Sequence, residues 1–259
     1  MFRKLSHKTR LDAILASQRN TNARLERIEE RLNNIEENVD AISRRVTGFE
    51  HRMRRSVRFA ADLDASEDSA KFMLASLGGA QPHNGGPETL HAAVAAAPEG
   101  MLLEFGVASG RTLRLITAAK PGARIVGFDS FKGLPEDWRG EFKRGHFSQS
   151  SIPHVEGAEL QIGLFQETLE PFLASNSGPI GFIHLDADLY SSTKYVLNQC
   201  GPRLAPGAML LFDEYYNYPN WREHEYRAFM EWTAANHVEW EYTDYCFMGE
   251  QVAVRIKSC

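Results

Sequence analysis

Between residues 101 and 213 short apolar runs alternate with helix-like segments, and this alternation constrains the fold more than any other feature. Repeated strand–helix alternation implies a parallel sheet with helices on both faces. Two final strands in succession predict an antiparallel hairpin at one edge of that sheet. We therefore predict an α/β, Rossmann-like, seven-stranded, mostly parallel sheet. The predicted strands cover residues 101–105, 124–128, 159–163, 179–185, 208–213, 238–242 and 251–256, and the predicted helices cover 67–77, 89–97, 110–119, 167–174, 191–203 and 222–235.

Acidic residues follow several predicted strands at the point where each strand ends. Asp129 follows one, Asp186 and Asp188 follow another, and Asp213 and Glu214 follow a third. In an open sheet of this kind ligands bind beyond the carboxyl ends of the strands, so these side chains should share one rim. Two neighbouring carboxylates repel each other unless a cation or a shared proton lies between them. The rim is therefore the candidate functional site.

The stretch LEFGVASGRT (103–112) joins a predicted strand to a helix through Gly106 and Gly110. It lacks the first glycine and the lysine of a phosphate-binding loop, which excludes that function. It holds only two of the three glycines of the dinucleotide motif, which disfavours NAD. Asp129 ends the next strand, where a carboxylate can accept hydrogen bonds from both ribose hydroxyls. The glycine turn and Asp129 together predict an adenosine-type cofactor.

Several motifs resemble the class I S-adenosylmethionine-dependent methyltransferases and, more narrowly, the macrocin O-methyltransferase family, which methylates sugar hydroxyls. They are EFGVASG, GFDSFKGLPEDW, GLFQETL, IHLDADLYSSTKYVL and LFDEYYNYPNW, and the similarity covers residues 85–257. The resemblance implies that the cofactor is S-adenosylmethionine, that its methionine portion lies along the glycine turn and that Asp129 binds its ribose. The implied cofactor-binding residues are Glu104, which would support the turn, and Gly106, Ser109, Gly110, Asp129, Ser130 and Gln166.

Asp186, Asp213 and Glu214 offer three carboxylates from neighbouring strand ends. Hard oxygen ligands without a nearby cysteine suit Mg²⁺, with Mn²⁺ or Ca²⁺ as alternatives. A single such acid would more often cap the following helix, but several on one rim beside a cofactor turn favour a metal. The resemblance implies the same ligand positions, although the family often has Asp where this chain has Glu214.

We predict that Asp188 is the general base that takes the proton from the acceptor hydroxyl, because it is not needed as a metal ligand. His184 is the second candidate, but a histidine on an apolar strand is more often a satisfied core residue. Tyr215, Tyr216, Tyr218 and Trp221 could stack on a saccharide or simply pack in the core.

Two loops are expected to border the site. The segment GLPEDW with residues 139–154 should cover the site, and GGAQPHNGG (78–86) should be a mobile flap.

The motifs are compatible with three functions. The first function is Mg²⁺-dependent O-methylation of a saccharide acceptor. Methylation of a catechol-type phenol and a non-catalytic oligomeric binding module are the alternatives.

Residues 11–46 carry a heptad repeat. Apolar residues alternate in steps of three and four from Leu25 to Val46, and only Gln18 and Thr21 interrupt the register that begins at Leu11. Arginine at positions g and glutamate at positions e are the pairs of a parallel coiled coil. We predict that residues 1–58 form a coiled-coil helix that assembles the chain into a dimer or tetramer; packing of this helix on its own domain is the alternative. We predict a methyltransferase domain in residues 59–259, with a hinge at 59–66.

The distribution of charge and the cysteine content limit the binding partners and the cellular compartment that we expect. Residues 1–60 hold 14 basic and 8 acidic residues, whereas the rest hold 15 basic and 26 acidic residues. The acidic body disfavours nucleic-acid binding. The basic stretch 51–58 is expected to be a solvated face or to pack on the acidic body, and contact with an anionic surface or ligand is the alternative. Three cysteines without metal-type spacing suggest a reducing compartment. We predict a cytoplasmic protein without a membrane span.

Overall fold

The computed structural model describes residues 7–140 and 142–258 of the chain. The chain divides into two compact units, the first ending at Ala60 and the second beginning at Ala61. Among the described residues no helix combines the length and the apolar character that crossing a membrane requires.

The first unit is dominated by one long helix, α1 (His7–Arg55). The heptad side chains lie on this helix about half exposed, for example Leu25 at 52% and Ile28 at 49%. The chain breaks at Ser56, whose Oγ accepts the backbone N–H of Phe59 at 3.2 Å and so caps the start of α2 (Val57–Ser76). Residues 59–66, predicted as a hinge, are helical, and the boundary between the two units falls among them at Ala60 and Ala61.

The second unit alternates strands and helices as the sequence predicts. Its elements are β1 (Gln81–His83), α3 (Gly86–Ala96), β2 (Met101–Phe105), α4 (Arg111–Ala119), β3 (Ile125–Asp129), β4 (Ala158–Ile162), α5 (Phe165–Ser175), β5 (Ile180–Leu185), α6 (Tyr190–Cys200), β6 (Leu204–Phe212), α7 (Glu225–Asn236), β7 (Glu239–Cys246) and β8 (Val252–Ser258). Short 3₁₀ turns at Gly201–Arg203 and Trp221–Glu223 precede β6 and α7.

The sheet has the order β1-β7-β8-β6-β5-β2-β3-β4. Strand β8 is antiparallel to β6 and β7, and the other neighbouring pairs are parallel. The predicted mostly parallel, Rossmann-like sheet is confirmed, but the predicted number of seven strands is wrong because the described residues form eight. The extra strand, β1, lies in the segment predicted as a flap. Its three residues are too few to show a periodic pattern, and Pro82 is tolerated because β1 is an edge strand.

Consecutive strand residues point to opposite faces of the sheet and pack in two separate cores. Leu103 and Ile183 lie in the core that α5, α6 and α7 cover, whereas Leu102 and Phe182 lie in the core beneath α3 and α4. All of these side chains are at most 1% exposed. Burial on both faces explains why the central strands read as continuous apolar runs.

Candidate active site

The turn between β2 and α4 approaches the end of β5 so closely that only glycine fits at position 106. Gly106 has φ +93°, and a Cβ there would lie 1.7 Å from the backbone oxygen of Asp186. Its own N–H donates to the oxygen of Phe128 at 3.0 Å. The backbone of the glycine turn therefore lies directly against the backbone of Asp186.

Asp129, at the end of β3, holds the glycine turn. Its Oδ2 accepts the backbone N–H groups of Val107 at 2.9 Å and Ala108 at 2.7 Å, and its Oδ1 accepts that of Phe131 at 2.7 Å. A carboxylate has about four acceptor positions, so three bonds leave room for a ligand hydroxyl. The predicted ribose-binding residue thus has a second role that the sequence did not indicate, since it fixes the turn itself.

A cavity of about 350 Å³ lies beyond the carboxyl ends of β2, β3 and β5. Four of the predicted cofactor residues line it, and so do three of the predicted catalytic and metal-binding acids. These residues are Gly106, Asp129, Ser130, Gln166, Asp186, Asp188 and Glu214.

Ser109, Asp213 and His184 line a second cavity of about 300 Å³, which also contacts Asp186. Gly110 has φ +76° and caps the start of α4. Glu104 is fully buried in β2.

The rim acids fall into two groups that share Asp186. In one group Asp186, Asp188 and Glu214 each offer a ligand atom within 4.8 Å of the others, and in the other group Asp186 stands with Asp213 and His184. Strand β5 ends at Leu185, and Asp188 has φ +59°, so the chain leaves the strand before the second aspartate. This turn carries the Asp188 side chain beside Glu214.

A buried chain of three side chains lies behind the acids. His184 is fully buried, and its Nδ1 lies 2.9 Å from Oε1 of Glu104, its neighbour across the β2–β5 pair. Its Nε2 lies 3.5 Å from Oδ1 of Asp213, longer than a well-formed hydrogen bond. Burial alone would lower the pKa of His184, but Asp213 and Glu104 raise it well above its usual value. The side chain is thus a partnered core histidine that favours its charged form.

Burial and crowding shift the pKa values of the acids themselves. Burial, reinforced by Asp213, raises the pKa of Asp186 and that of Glu214 well above the usual range. Burial also raises the pKa of Asp188 to about 7, although Arg139 opposes the shift. Burial would raise the pKa of Asp213 as well, but His184 lowers it below its usual value.

Glu225, at the start of α7, is a fully buried acid that sequence reasoning missed. Its Oε2 accepts the backbone N–H of Glu214 at 3.1 Å, and its Oε1 accepts the hydroxyl of Thr193 at 3.3 Å. Burial raises its pKa well above the usual value. Glu225 therefore holds the chain that presents Glu214.

Arg139 ties the covering segment to the turn between β7 and β8. Its guanidinium donates to both carboxylate oxygens of Glu250, at 3.2 and 2.9 Å. It also lies 4.2 Å from the ring centre of Trp138 and 4.0 Å from that of Tyr218. Since Arg139, Trp138 and Leu134 line the larger cavity, this segment borders the site as the sequence predicts.

The tyrosine and tryptophan cluster after Glu214 packs in the core. Tyr215, Tyr216, Tyr218 and Trp221 are each at most 4% exposed. Tyr215 and Tyr242 share a hydrogen bond of 2.8 Å, and the Tyr216 hydroxyl donates to the oxygen of Cys246. Of the two readings of this cluster, core packing is the one that the structure supports. The aromatic residues that line the cavity are instead Trp138, Phe142, Phe147 and Phe165.

Comparisons with known proteins agree with this geometry. A family model described as a methyltransferase domain matches residues 103–215. The structure of the calicheamicin methyltransferase CalS11 is 26% identical, covers 65% of this chain and 76% of its own, and has a TM-score of 0.52. The O-methyltransferase NovP is 20% identical, with coverages of 65% and 78% and a TM-score of 0.50. An apo structure of CalS11, described as TDP-rhamnose 3′-O-methyltransferase, matches at 27% identity with coverages of 65% and 76% and a TM-score of 0.47. No curated protein matches significantly.

The matched residues run from the middle of β2 through the glycine turn, Asp129 and the rim acids to Tyr215. The chain is an S-adenosylmethionine-dependent O-methyltransferase. The methyltransferase thus has Gly106 and four of its five rim acids on one cavity, as expected for a site where a methyl donor and an acceptor meet.

The site of the methyltransferase also holds contacts between residues that no local pattern indicated. Arg139 and Glu250 are 111 positions apart, and Glu225 contacts Glu214 from the next helix. The one available signal was the spacing of Trp138, Phe142 and Phe147 in a long segment without strand or helix periodicity.

Proposed function

We propose that this enzyme transfers a methyl group to a hydroxyl of a sugar, with Mg²⁺ bound by the acids that follow β5 and β6. The observation that carries the proposal is the shared cavity, which Gly106 and Asp129 line together with Asp186, Asp188 and Glu214. The description of the similar protein CalS11 as a TDP-rhamnose 3′-O-methyltransferase supports a sugar acceptor.

The acid cluster fits a hard divalent cation. Asp186, Asp188 and Glu214 present oxygen atoms within 4.8 Å of one another, and Oε2 of Glu214 is buried with no hydrogen-bond partner among the described residues. Only oxygen donors occur in this group, which suits Mg²⁺, Mn²⁺ or Ca²⁺ rather than zinc. Asp186 and Glu214 from this group would hold the ion together with Asp213, which lies in the second group that shares Asp186. When bound, the ion lowers the pKa of an acceptor hydroxyl and orients it.

The side chains around the cluster would then bind the cofactor, accept the proton and stabilise the acids. S-adenosylmethionine supplies an electrophilic methyl group, and the turn at Gly106, Ser109 and Gly110 with Asp129 would fix its position. Asp188 would accept the proton of the attacking hydroxyl, a role that a pKa near 7 suits. His184 would instead stabilise Asp213 as its buried, charged neighbour.

The test is a methyl-transfer assay with labelled S-adenosylmethionine at a fixed Mg²⁺ concentration. Methyl glycosides and sugar nucleotides form one set of acceptors, and catechols form the other, because the aromatic side chains of the cavity would also stack on a phenol. We expect the labelled methyl group to be transferred to one or more of the sugar acceptors. Label in catechols alone would contradict the proposal in favour of the phenol alternative.

We also propose that residues 1–58 assemble copies of the chain through a parallel coiled coil. The half-exposed stripe on α1 supports this, and so do the charges that flank it. In a parallel pair Arg24 would meet Glu29, Arg31 would meet Glu36 and Arg45 would meet Glu50 of the second copy. An antiparallel pair would instead place arginine against arginine and glutamate against glutamate.

Sedimentation of the full-length protein should therefore give the mass of a dimer or larger oligomer. The double variant Ile28→Glu/Ile35→Glu should be monomeric, since it places charges in the apolar stripe. Asn33→Glu/Asn34→Glu adds the same charges beside the stripe and should leave the mass unchanged. A monomeric mass for the unaltered chain would refute self-association.

A further inference from the structure

One cationic side chain lines the same cavity as the rim acids. Among the described lining residues Asp129, Asp186, Asp188 and Glu214 carry carboxyl groups, and Arg139 alone carries a positive charge. Arg139 acts on these acids electrostatically, because burial raises the pKa of Asp188 to about 7 and Arg139 opposes that shift. The same carboxylates attract a guanidinium and a divalent cation. An arginine at this place therefore competes with the ion unless another group holds it.

Glu250 is the group that holds Arg139. The guanidinium donates to both carboxylate oxygens of Glu250, at 3.2 and 2.9 Å, and two parallel bonds of this kind fix its orientation as well as its place. In the described part of the chain none of the four cavity acids forms an ion pair with Arg139. The arginine thus borders the acids but is paired elsewhere.

The backbone next to this ion pair is fixed to the chain that carries the acids. The carbonyl oxygen of Glu250 accepts the N–H of Tyr215, the residue after Glu214, at 2.9 Å. The carbonyl oxygen of Gly249 accepts Nδ2 of Asn217 at 3.1 Å. The two paired side chains are only 23% and 26% exposed, so salt and water screen the pair less than they screen a surface pair. Glu250 is therefore a firm anchor for the guanidinium.

Without the carboxylate of Glu250, Arg139 would keep its contacts with two aromatic rings. Its guanidinium lies 4.2 Å from the ring centre of Trp138 and 4.0 Å from that of Tyr218. Such contacts contribute about 0.5–2 kcal/mol, and they do not neutralise the charge. Removing one partner of a buried pair leaves the other charge uncompensated. The uncompensated guanidinium would then be drawn to the acids of its own cavity and lower their affinity for a cation.

We propose that Glu250 is a positioning residue that holds Arg139 away from the acids that follow β5 and β6 and so keeps the cation site open. This inference rests on the proposed Mg²⁺-dependent function and adds a residue to it. Glu250 acts through Arg139 rather than by contact with the ion.

Binding of Mn²⁺ to the full-length enzyme, measured by calorimetry with S-adenosylhomocysteine present, tests this without turnover. Glu250→Ala should raise the Kd for Mn²⁺ about tenfold, because it frees a positive charge beside the acids. The double variant Arg139→Ala/Glu250→Ala should bind Mn²⁺ within about threefold of the unaltered enzyme, because the competing charge is gone. A purely structural role of Glu250 predicts no such recovery.

The matched control is Glu241→Ala. It removes a carboxylate that binds Arg255 at 3.0 Å on the same pair of strands, and neither residue lines the cavity. Its Mn²⁺ affinity should equal that of the unaltered enzyme. Thermal melting would show that each variant is folded, and Glu250→Gln, which keeps the length of the side chain, gives the same comparison if Glu250→Ala does not fold.

The Mg²⁺ dependence of the methyl-transfer rate gives a second readout. Glu250→Ala should need about tenfold more Mg²⁺ for half of its maximal rate, with the maximal rate itself within about threefold of the unaltered value, since excess Mg²⁺ displaces the arginine.

Unchanged Mn²⁺ affinity in Glu250→Ala, or a double variant that binds as weakly as Glu250→Ala, would overturn the inference. Failure of the unaltered enzyme to bind Mn²⁺ would contradict the proposed metal site and this inference together. The expected Mn²⁺ affinities without methyl transfer to any sugar would contradict the proposed function alone.

Discussion

Replacing Asp188 with asparagine should lower kcat for methyl transfer by about 10²- to 10⁴-fold, the usual contribution of a general base. Asparagine keeps the shape of the side chain but cannot take the acceptor proton. Initial rates with labelled S-adenosylmethionine would measure the loss. Asp62→Asn makes the same change on the exposed face of α2 and should leave kcat unchanged.

The pH profile of the unaltered enzyme gives an independent readout of the same role. Burial raises the pKa of Asp188 to about 7, and a base must be deprotonated to act. A cation bound by the neighbouring acids would lower this pKa, so activity should fall about tenfold per pH unit below a pKa that lies at about 7 without metal and lower with metal. An acidic limb that is unchanged in Asp188→Asn would show that Asp188 is not the base.

Asp188 stands in the same acid group as Asp186 and Glu214, so its role as base must be separated from a role as ligand. Mn²⁺ titration of Asp188→Asn should give a dissociation constant close to that of the unaltered enzyme. A tenfold or larger loss of Mn²⁺ affinity together with lost activity would assign Asp188 to the metal and contradict its role as base.

Gly106→Ala should destabilise the domain and abolish measurable cofactor binding. The new Cβ would lie 1.7 Å from the oxygen of Asp186 at a backbone φ of +93°, so the turn or the end of β5 must move. Strained backbone of this kind costs about 1–3 kcal/mol before the clash is relieved. Thermal melting and calorimetry with S-adenosylhomocysteine would measure the two effects.

Gly79→Ala is the matched control, because a Cβ at Gly79 meets no heavy atom within 4 Å. It should melt and bind cofactor as the unaltered protein does. Cofactor affinity retained by Gly106→Ala would mean that the close approach of the turn to Asp186 is not required.

The order of the elements and the rim could be predicted because they depend on local patterns. Apolar runs such as residues 180–185 and the helical segments between them specify parallel strands, and the parallel arrangement places Asp129, Asp186 and Glu214 at one edge. The burial of His184 followed from its place on such a strand. Strand β1 was not predicted because its three residues are too few to show a periodic pattern, and its pairing with β7 depends on residues far away in the sequence.

The finer arrangement of the site could not be predicted because it depends on contacts between remote residues. The direction of Asp188 follows from a single positive φ after β5, and no pattern marks that turn. Glu250 binds Arg139 across 111 positions. The sequence left open whether Tyr215 and Trp221 stack on a sugar or pack in the core, because it does not show that Phe72 from α2 packs against both rings and helps bury them.

Methyl transfer should depend on a cation held by the acids beside the glycine turn. The most direct measurement is the initial rate of transfer to a sugar acceptor after chelation and after return of Mg²⁺, for the unaltered enzyme and for Asp186→Ala. The rate should fall at least about 100-fold on chelation, in line with the several kcal/mol that a bound cation contributes. Mg²⁺ should restore it only in the unaltered enzyme. A full rate without metal, or an unchanged rate in Asp186→Ala, would contradict the claim.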